Sequence, residues 1–547
     1  MAREDIAREQ EELAAMRTKG WNAGILRAVA LWAVGLSSSA WAEVKLNPIF
    51  TDGAVLQQDA NVPVWGKARE GEKVTVQFDG QSATSTAKDG KWMVHFKPHK
   101  AGGPFVLTVA GEENTITLKN VLVGEVWVCS GQSNMQFALE FDANASTEAS
   151  TANYPKLRTF NVRRKNSVQP LAEVEGKWME CTPASSIYFT AVGYYFGRDL
   201  HKATGVPVGL IHSSWGATSA QAWTSLDGLE KEQKLHRYAE EAKKLAANFE
   251  QASATYPSEL ADYQEKLKKW EVEVGAAYKE TLKSWTAENQ KLKLEGKPVI
   301  PQPKPVQPRP TMPLSPDGWP NNPTVLFNGM IAPLIPYAIK GVIWYQGEGN
   351  AGQSQEYRTL FPRLIADWRE KWGQGDFPFL FVQVAPFQNL PPEIREAQLL
   401  SWQKTPNTAM VVITDVGNAT DIHPRQKEPV GARLALAART LAYGEKIEYS
   451  GPVFDAIKID GDRAVLSFKH LGSGLLAKDG DLQGFTIAGA DKKFIAAKAE
   501  IKGDTVVVSS EKVRVPVAVR YGWENVPHVN LFNKEGLPAS PFRTDAD

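Results

Sequence analysis

The sequence predicts an α/β protein: a parallel sheet carrying a helical insertion, with a β domain on either side. Three observations lead there. Across residues 121–226 and 323–445, short apolar runs alternate with stretches of helical periodicity, as strands buried on both faces and their crossover helices do. The stretch 227–322 breaks that rhythm, being dense in Lys, Glu and Ala before it turns Pro-rich. Residues 43–120 and 446–547 are short β-forming runs separated by turn residues. A chain of 547 residues is also too long for one core, so several domains are expected.

Taken in order, residues 1–42 read as an address rather than structure. Arg17, Lys19 and Arg27 precede an apolar run at 28–36 that is too short to span a bilayer. It leads into Ala40-Trp41-Ala42, an A-x-A cleavage pattern that makes Glu43 the mature start. This signal peptide, with residues 1–15 as an upstream extension, predicts an exported protein, periplasmic or extracellular. No other stretch is long enough to span a membrane.

Residues 62–66, 74–78 and 105–109 read as strands of a sandwich-like domain, with Asp89-Gly90 and Gly102-Gly103 as turns. In the α/β part, strands are expected at 126–129, 207–211, 341–345, 379–384 and 410–413. Helices are expected at 192–203, 360–372, 393–403 and 430–442. Within the insertion, Leu260, Tyr263, Leu267, Trp270, Val274 and Tyr278 recur at helical spacing, which suits an antiparallel helical pair. The Pro-rich return, 298–323, reads as extended and partly polyproline-like.

Composition narrows the function classes. Lys+Arg and Asp+Glu both number 62, which argues against a nucleic-acid or anionic-membrane partner. Seventeen Trp and fourteen Tyr suit sugar stacking, although any single Trp is more simply read as core. Two cysteines, Cys129 and Cys181, are too few for a disulfide framework, and Cys129 reads as a buried thiol. No His, Glu or Cys cluster has metal-ligand spacing, so neither metal nor organic cofactor is expected.

Four polar clusters fall at the carboxyl ends of expected strands, where parallel sheets bind ligands. Gly131-Gln132-Ser133-Asn134-Met135 places a serine at a strand-to-helix turn. There its hydroxyl is exposed and its N–H points with the helix dipole. It is not the G-x-S-x-G elbow, since position 135 is Met. Ser214-Trp215-Gly216 offers a glycine N–H that can approach a ligand closely. Gln346-Gly347-Glu348-Gly349-Asn350 offers two side-chain amides. Asp421-Ile422-His423-Pro424 supplies an imidazole, the base a hydrolytic serine needs. Of eight histidines only His423 has an acid two residues before it in a loop leading to a helix; His212 is the second choice.

The order Ser…Gly…Asn…Asp-x-His resembles the SGNH hydrolase superfamily. The strings 128–135, 214–216, 344–348 and 421–424 are similar to those of the sialate O-acetylesterase family and its bacterial carbohydrate-esterase relatives. The resemblance covers about 44–225 and 323–547. It implies a flavodoxin-like SGNH fold, an O-acetylated carbohydrate substrate, and a bacterial exported esterase. Ser133 would be the nucleophile, His423 its base and Asp421 the acid that orients it. Gly216 would form the oxyanion hole with Asn350 or Gln346, while Trp215, Trp344 and Arg425 would line the sugar site.

Three departures stand out. Ala217 follows Gly216 where relatives often have a second Gly. Asp421 stands two residues before His423 rather than three, where this chain has Thr420, so Asp415 at the preceding strand end is a rival acid. Asn350 lies one position later than a G-x-N spacing, which keeps Gln346 in contention. Within the esterase reading, sialate is the first substrate and acetylated xylan or xyloglucan the alternative. A non-catalytic carbohydrate-binding protein is the reading from another class.

Overall fold

The computed structural model describes residues 43–545. The expected signal peptide at 1–42 lies outside the described residues. The protein is mixed α/β. Its central sheet contains, in chain order, β1 (Thr115–Gly131), β2 (Tyr154–Asn161), β3 (Trp178–Cys181), β4 (Val208–Ser214), β5 (Gly341–Tyr345), β6 (Phe379–Val382) and β7 (Thr408–Val411). Across the sheet they run β3-β2-β4-β1-β5-β6-β7, and of these only β3 is antiparallel to its neighbour. The chain first winds to one side of β1, then crosses to the other for β5. That reversal opens a crevice at the carboxyl end of β1.

The helices around this sheet are α1 (Ser133–Gln136), α2 (Ala191–Thr204), α3 (Ser354–Trp372), α4 (Pro392–Lys404) and α5 (Glu428–Leu441). Alternate strand residues feed two separate cores, as the period-2 pleat requires. Trp127, Cys129, Ile343, Tyr345, Leu380 and Val411 pack with Phe196 of α2 and Leu434 of α5. Val126, Val128, Val342, Trp344, Phe381 and Met410 pack with Leu360 and Trp368 of α3 and Ile394 of α4. Near-continuous apolar strands are thus explained, because each face has its own helical cover. α2 starts at Thr190, whose hydroxyl accepts the Gly193 N–H, and stops at left-handed Gly205.

The break placed at 120/121 is not a structural break. β1 is one continuous strand. Its first half pairs antiparallel with Gly102–Ala110, and its second half is the central strand of the parallel sheet. Buried hydrophobic residues from Val44 to Val126 belong to the same core as the α3 side of the sheet. Gly102-Gly103, expected as a turn, opens that Gly102–Ala110 strand.

The insertion is also not an antiparallel helical pair. Phe249–Trp270, a π-helical turn at Glu271–Gly275, and Ala276–Leu294 form one unbroken helical rod. At about 1.5 Å per residue it is about 69 Å long. Its partner is the Pro-rich return. The indole N–H of Trp285 donates to Ile300 O, the hydroxyl of Tyr278 to Pro303 O, and the indole N–H of Trp270 to Gln307 O. From Trp285 back to Trp270 the helix covers about 22 Å. From Ile300 to Gln307 a polyproline-like chain also covers about 22 Å. The matched rise lets an extended chain follow the helix from Trp285 to Trp270, in place of the expected second helix.

The C-terminal strands from Val453 to Arg543 form two four-stranded sheets and a two-stranded one around a core of their own. They dock on the parallel-sheet region through the ion pair of Arg543 with Glu396 and a hydrogen bond from Gln383 to Ser540. Among the described residues no helix is long and apolar enough to cross a membrane. Both cysteines are buried and unpaired with one another.

Candidate active site

The first polar cluster is built by a turn that only glycine permits. Gly131 has φ 134°, and a Cβ there would lie 2.2 Å from Tyr345 O. The chain can therefore turn sharply out of β1, and Ser133 becomes the first residue of α1, with a backbone N–H that has no intrahelical partner. Neighbouring loops brace the turn on both sides. Trp215 N–H donates to Gly131 O, Gln132 N–H donates to Tyr345 O, and Gln132 Oε1 accepts the Gly349 N–H.

His423 arrives from the loop between β7 and α5. Its Nε2 stands 2.8 Å from Ser133 Oγ. A neutral ring accepting there takes the serine proton, which puts its own proton on Nδ1. Burial, then the charge of Lys427, hold the imidazole below its ordinary 6.5, against an opposing pull from Asp421. The ring is therefore neutral at neutral pH, the form in which an imidazole can accept a proton.

Asp421 sits beside the ring without hydrogen-bonding to it. Its Oδ1 accepts the backbone N–H of His423 at 2.9 Å and lies 3.9 Å from Nδ1. Its direct work is to shape the loop. The rival Asp415 is held by Arg433 in a two-pronged contact at 2.6 and 2.7 Å, so it is committed elsewhere. Thr420 donates its hydroxyl to Asn418 Oδ1. His212 is committed too: Nδ1 faces Asn161 Oδ1 at 3.2 Å and Nε2 faces Ser214 Oγ at 2.6 Å. Burial and the nearby Arg164 push it down to about 4.

The expected oxyanion donors are corrected in part. Gly216 does abut Ser133, since a methyl placed on it would lie 3.3 Å from Ser133 Cβ. Its N–H, however, donates to Gln136 Oε1 at 2.7 Å. Gln346 and Asn350 are both buried and engaged. Gln346 Nε2 donates to Thr218 O and to Asn350 Oδ1, while its own Oε1 accepts from Tyr357. Asn350 Oδ1 also accepts the Ala220 N–H, and its Nδ2 donates to Gln221 Oε1. These amides brace the loop after Gly216: both N–H groups of Gln346 are spent there, whereas Asn350 Nδ2 gives one of its two N–H groups to Gln221 and keeps the other.

The aromatic expectations divide likewise. Trp344 has no exposure and packs among Trp223, Phe361 and Trp368, so it cannot stack on a sugar. Trp215 is 9% exposed and lies under the Arg164 guanidinium. Arg425 is exposed at the rim, with Nε donating to Phe141 O, and Phe141 itself is 55% exposed. Ala217 carries φ 58°, a left-handed conformation that fits the glycine expected there better than the alanine present.

Gln136, Asn134, Glu348 and Lys427 went unassigned in the sequence. Gln136 had a usable signal, because it lies three residues after Ser133 and so shares its face of the turn. Lys427 had none, since its burial is created by tertiary packing alone. Among the described residues no group of three or more His, Cys, Asp or Glu side chains could hold a metal ion.

Known proteins are similar to this chain over much of its length. Residues 319–440 match the family model described as carbohydrate esterase, sialic acid-specific acetylesterase. The chain is 32% identical to the mouse (Mus musculus) sialate O-acetylesterase over 471 residues, covering 76% of this chain and 77% of that protein. It is 29% identical to the human (Homo sapiens) sialate O-acetylesterase over 574 residues, covering 95% of each. The crystal structure of a carbohydrate acetylesterase from Xanthomonas citri is similar at TM-score 0.75 and 38% identity, over 92% of this chain and 100% of that one.

Proposed function

We propose that this chain, which belongs to the sialate O-acetylesterase family, removes O-acetyl groups from sialic acid through an acetyl-enzyme on Ser133. Family membership carries the coarse activity: the chain is a carbohydrate esterase. The observation that carries the mechanism is the 2.8 Å contact between Ser133 Oγ and His423 Nε2. Ser133 attacks the acetyl carbonyl while His423 takes its proton. The oxyanion develops toward the Gly216 and Ser133 N–H groups, and the incoming carbonyl displaces Gln136 Oε1 from the first of them. His423 returns the proton to the sugar oxygen as its bond to the acetyl carbon breaks, and water then repeats the sequence to release acetate.

The finer fold assignment belongs to the same reading. Four polar clusters at the carboxyl ends of β1, β4, β5 and the segment after β7, on a β2-β4-β1-β5-β6-β7 parallel sheet, support an SGNH-type hydrolase flanked by β domains. The pattern at 17–42 supports export to the periplasm or beyond. Sialate is favoured as substrate because the mammalian relatives span up to 95% of the chain. We assign Arg425, exposed and hydrogen-bonded to Phe141 O, as the cation that would receive its carboxylate.

The test is acetate release from O-acetylated sialic acid and from acetylated xylan and xyloglucan at matched acetyl concentration. Sialate should give the higher kcat/KM. A tenfold or greater preference for polysaccharide removes the sialate assignment and leaves the esterase.

A further inference from the structure

Behind the Ser133–His423 pair lies a buried charged cluster that the mechanism above does not use. Lys427, at the threshold of α5, has no exposed surface, and its Nζ donates to Asn134 Oδ1 at 2.5 Å. The other end of the same amide donates to Glu348 Oε1 at 2.6 Å and to Ile422 O at 3.0 Å. One asparagine, next to the nucleophile, thus joins a cation, an anion and the backbone beside His423. The ammonium also lies 4.8 Å from the ring centre of Phe137 and 5.4 Å from that of Tyr345. The Lys427 backbone N–H donates to Asp142 Oδ2.

We propose that Lys427 is a positioning residue of the esterase site: through Asn134 it ties the Ser133 turn, the His423 loop and Glu348 into one unit, and it sets a positive charge beside the catalytic base. The inference rests on the esterase reading for the role of His423. A buried lysine without this arrangement would sacrifice solvation for nothing, and methionine would fill the same space at less cost. The amide dipole of Asn134 is oriented for a charged pair, oxygen toward Lys427 and nitrogen toward Glu348. Two aromatic faces add to the preference for a cation.

The charges around the base are few. His423 faces Lys427 and Asp421. Lys427 faces Glu348 from the loop after β5, Asp142 from the segment after α1, and Asp421 from its own loop. Burial pulls Lys427 down to about 7, against the raising effect of those three carboxylates, while burial pushes Glu348 up. The sign at the base is fixed. A neighbouring positive charge disfavours the imidazolium, so it lowers the pH at which His423 becomes able to accept the serine proton.

The test is NMR titration of the His423 imidazole in the wild-type chain and in Lys427→Met and Lys427→Gln, beside the pH profile of aryl acetate turnover. In the wild type the ring should titrate below about 6.5. Both variants remove the charge, so both should raise the midpoint by about half a unit or more, carrying the acid limb of kcat/KM with it. Only Lys427→Gln keeps a donor for Asn134, so Lys427→Met should lose more of the plateau kcat, about tenfold. A wild-type midpoint at or above 6.5, or an unshifted midpoint in a folded variant, overturns the proposal. If neither variant folds, the wild-type midpoint decides. Because the titration reads the ring itself, it stands apart from a finding that Ser133→Ala still turns over ester, which would strike the esterase reading alone.

Discussion

Two polar clusters stand at the carboxyl ends of neighbouring strands, one after β1 and one after β5, and they meet opposite ends. Ser133 keeps its hydroxyl directed at an imidazole and is partly open to solvent. Gln346 and Asn350 are closed in: both N–H groups of Gln346, one of the two on Asn350 and the Asn350 oxygen are engaged with each other or with the loop at Thr218, Ala220 and Gln221. Both clusters are polar, glycine-flanked and at the ligand-binding edge of the sheet. What separates them is hydrogen-bond saturation. A side chain whose bonds are all made inside the fold supports a site; one left with a single reactive partner performs the chemistry.

That contrast is broken or sharpened by substitution, beginning with the open cluster. Ser133→Ala and His423→Ala should each lower kcat on an aryl acetate by about 10⁴-fold or more, with equal losses because the pair acts as a unit. Their melting temperatures should stay near wild type. A variant that keeps a tenth of the activity would remove its residue from the chemistry.

The closed cluster should answer in stability instead. Gln346→Met takes from Thr218 O its side-chain donor and from Asn350 Oδ1 and the Tyr357 hydroxyl one of their two partners each, a cost of about 2–3 kcal/mol in denaturant unfolding. Its turnover, measured below the transition, should fall by less than about tenfold. A loss of about 10²–10³ in kcat at unchanged stability would make Gln346 an oxyanion donor after all.

Asp421 tests the boundary between the two kinds of residue. Asparagine can still accept the His423 N–H, so Asp421→Asn should cost about tenfold at most. Removing the anion that raises the imidazole's pKa should also move the acid limb to lower pH. A loss near 10⁴ would instead give Asp421 the full role of a triad acid.

The smallest effect is expected at Gln136. If its carbonyl oxygen merely occupies the Gly216 N–H until substrate arrives, Gln136→Ala should raise kcat/KM about 2- to 10-fold, the worth of one hydrogen bond. A fall of about 10² would show that its amide donates to the oxyanion.

The same saturation argument explains what was legible in the sequence. Strands and helices of the sheet region could be read because their apolar runs report burial on two faces, and the structure keeps that alternation in two cores. The meeting of Ser133 and His423 could be anticipated because a hydrolytic pair needs particular residue types at loop positions. The failures came where partners lie far away in the chain. Apolar spacing alone could not say that the stripe through Trp270 and Tyr278 meets an extended Pro-rich segment rather than a helix. Nor could it say that β1 runs unbroken through an apparent domain boundary. Trp344 looked available for sugar because it adjoins a motif, yet its ring points into the α3 core. Lys427 stayed hidden because a lone lysine near a helix start reads as solvated surface.

Covalent labelling of the wild-type chain with a serine-directed fluorophosphonate, followed by peptide mass mapping, bears most directly on the nucleophile. One adduct should form, on the peptide holding Ser133, slowed sharply in His423→Ala and absent in Ser133→Ala. An adduct on Ser214 beside His212, or labelling of Ser133 that ignores His423, would contradict the assignment of Ser133 and His423 as the reacting pair.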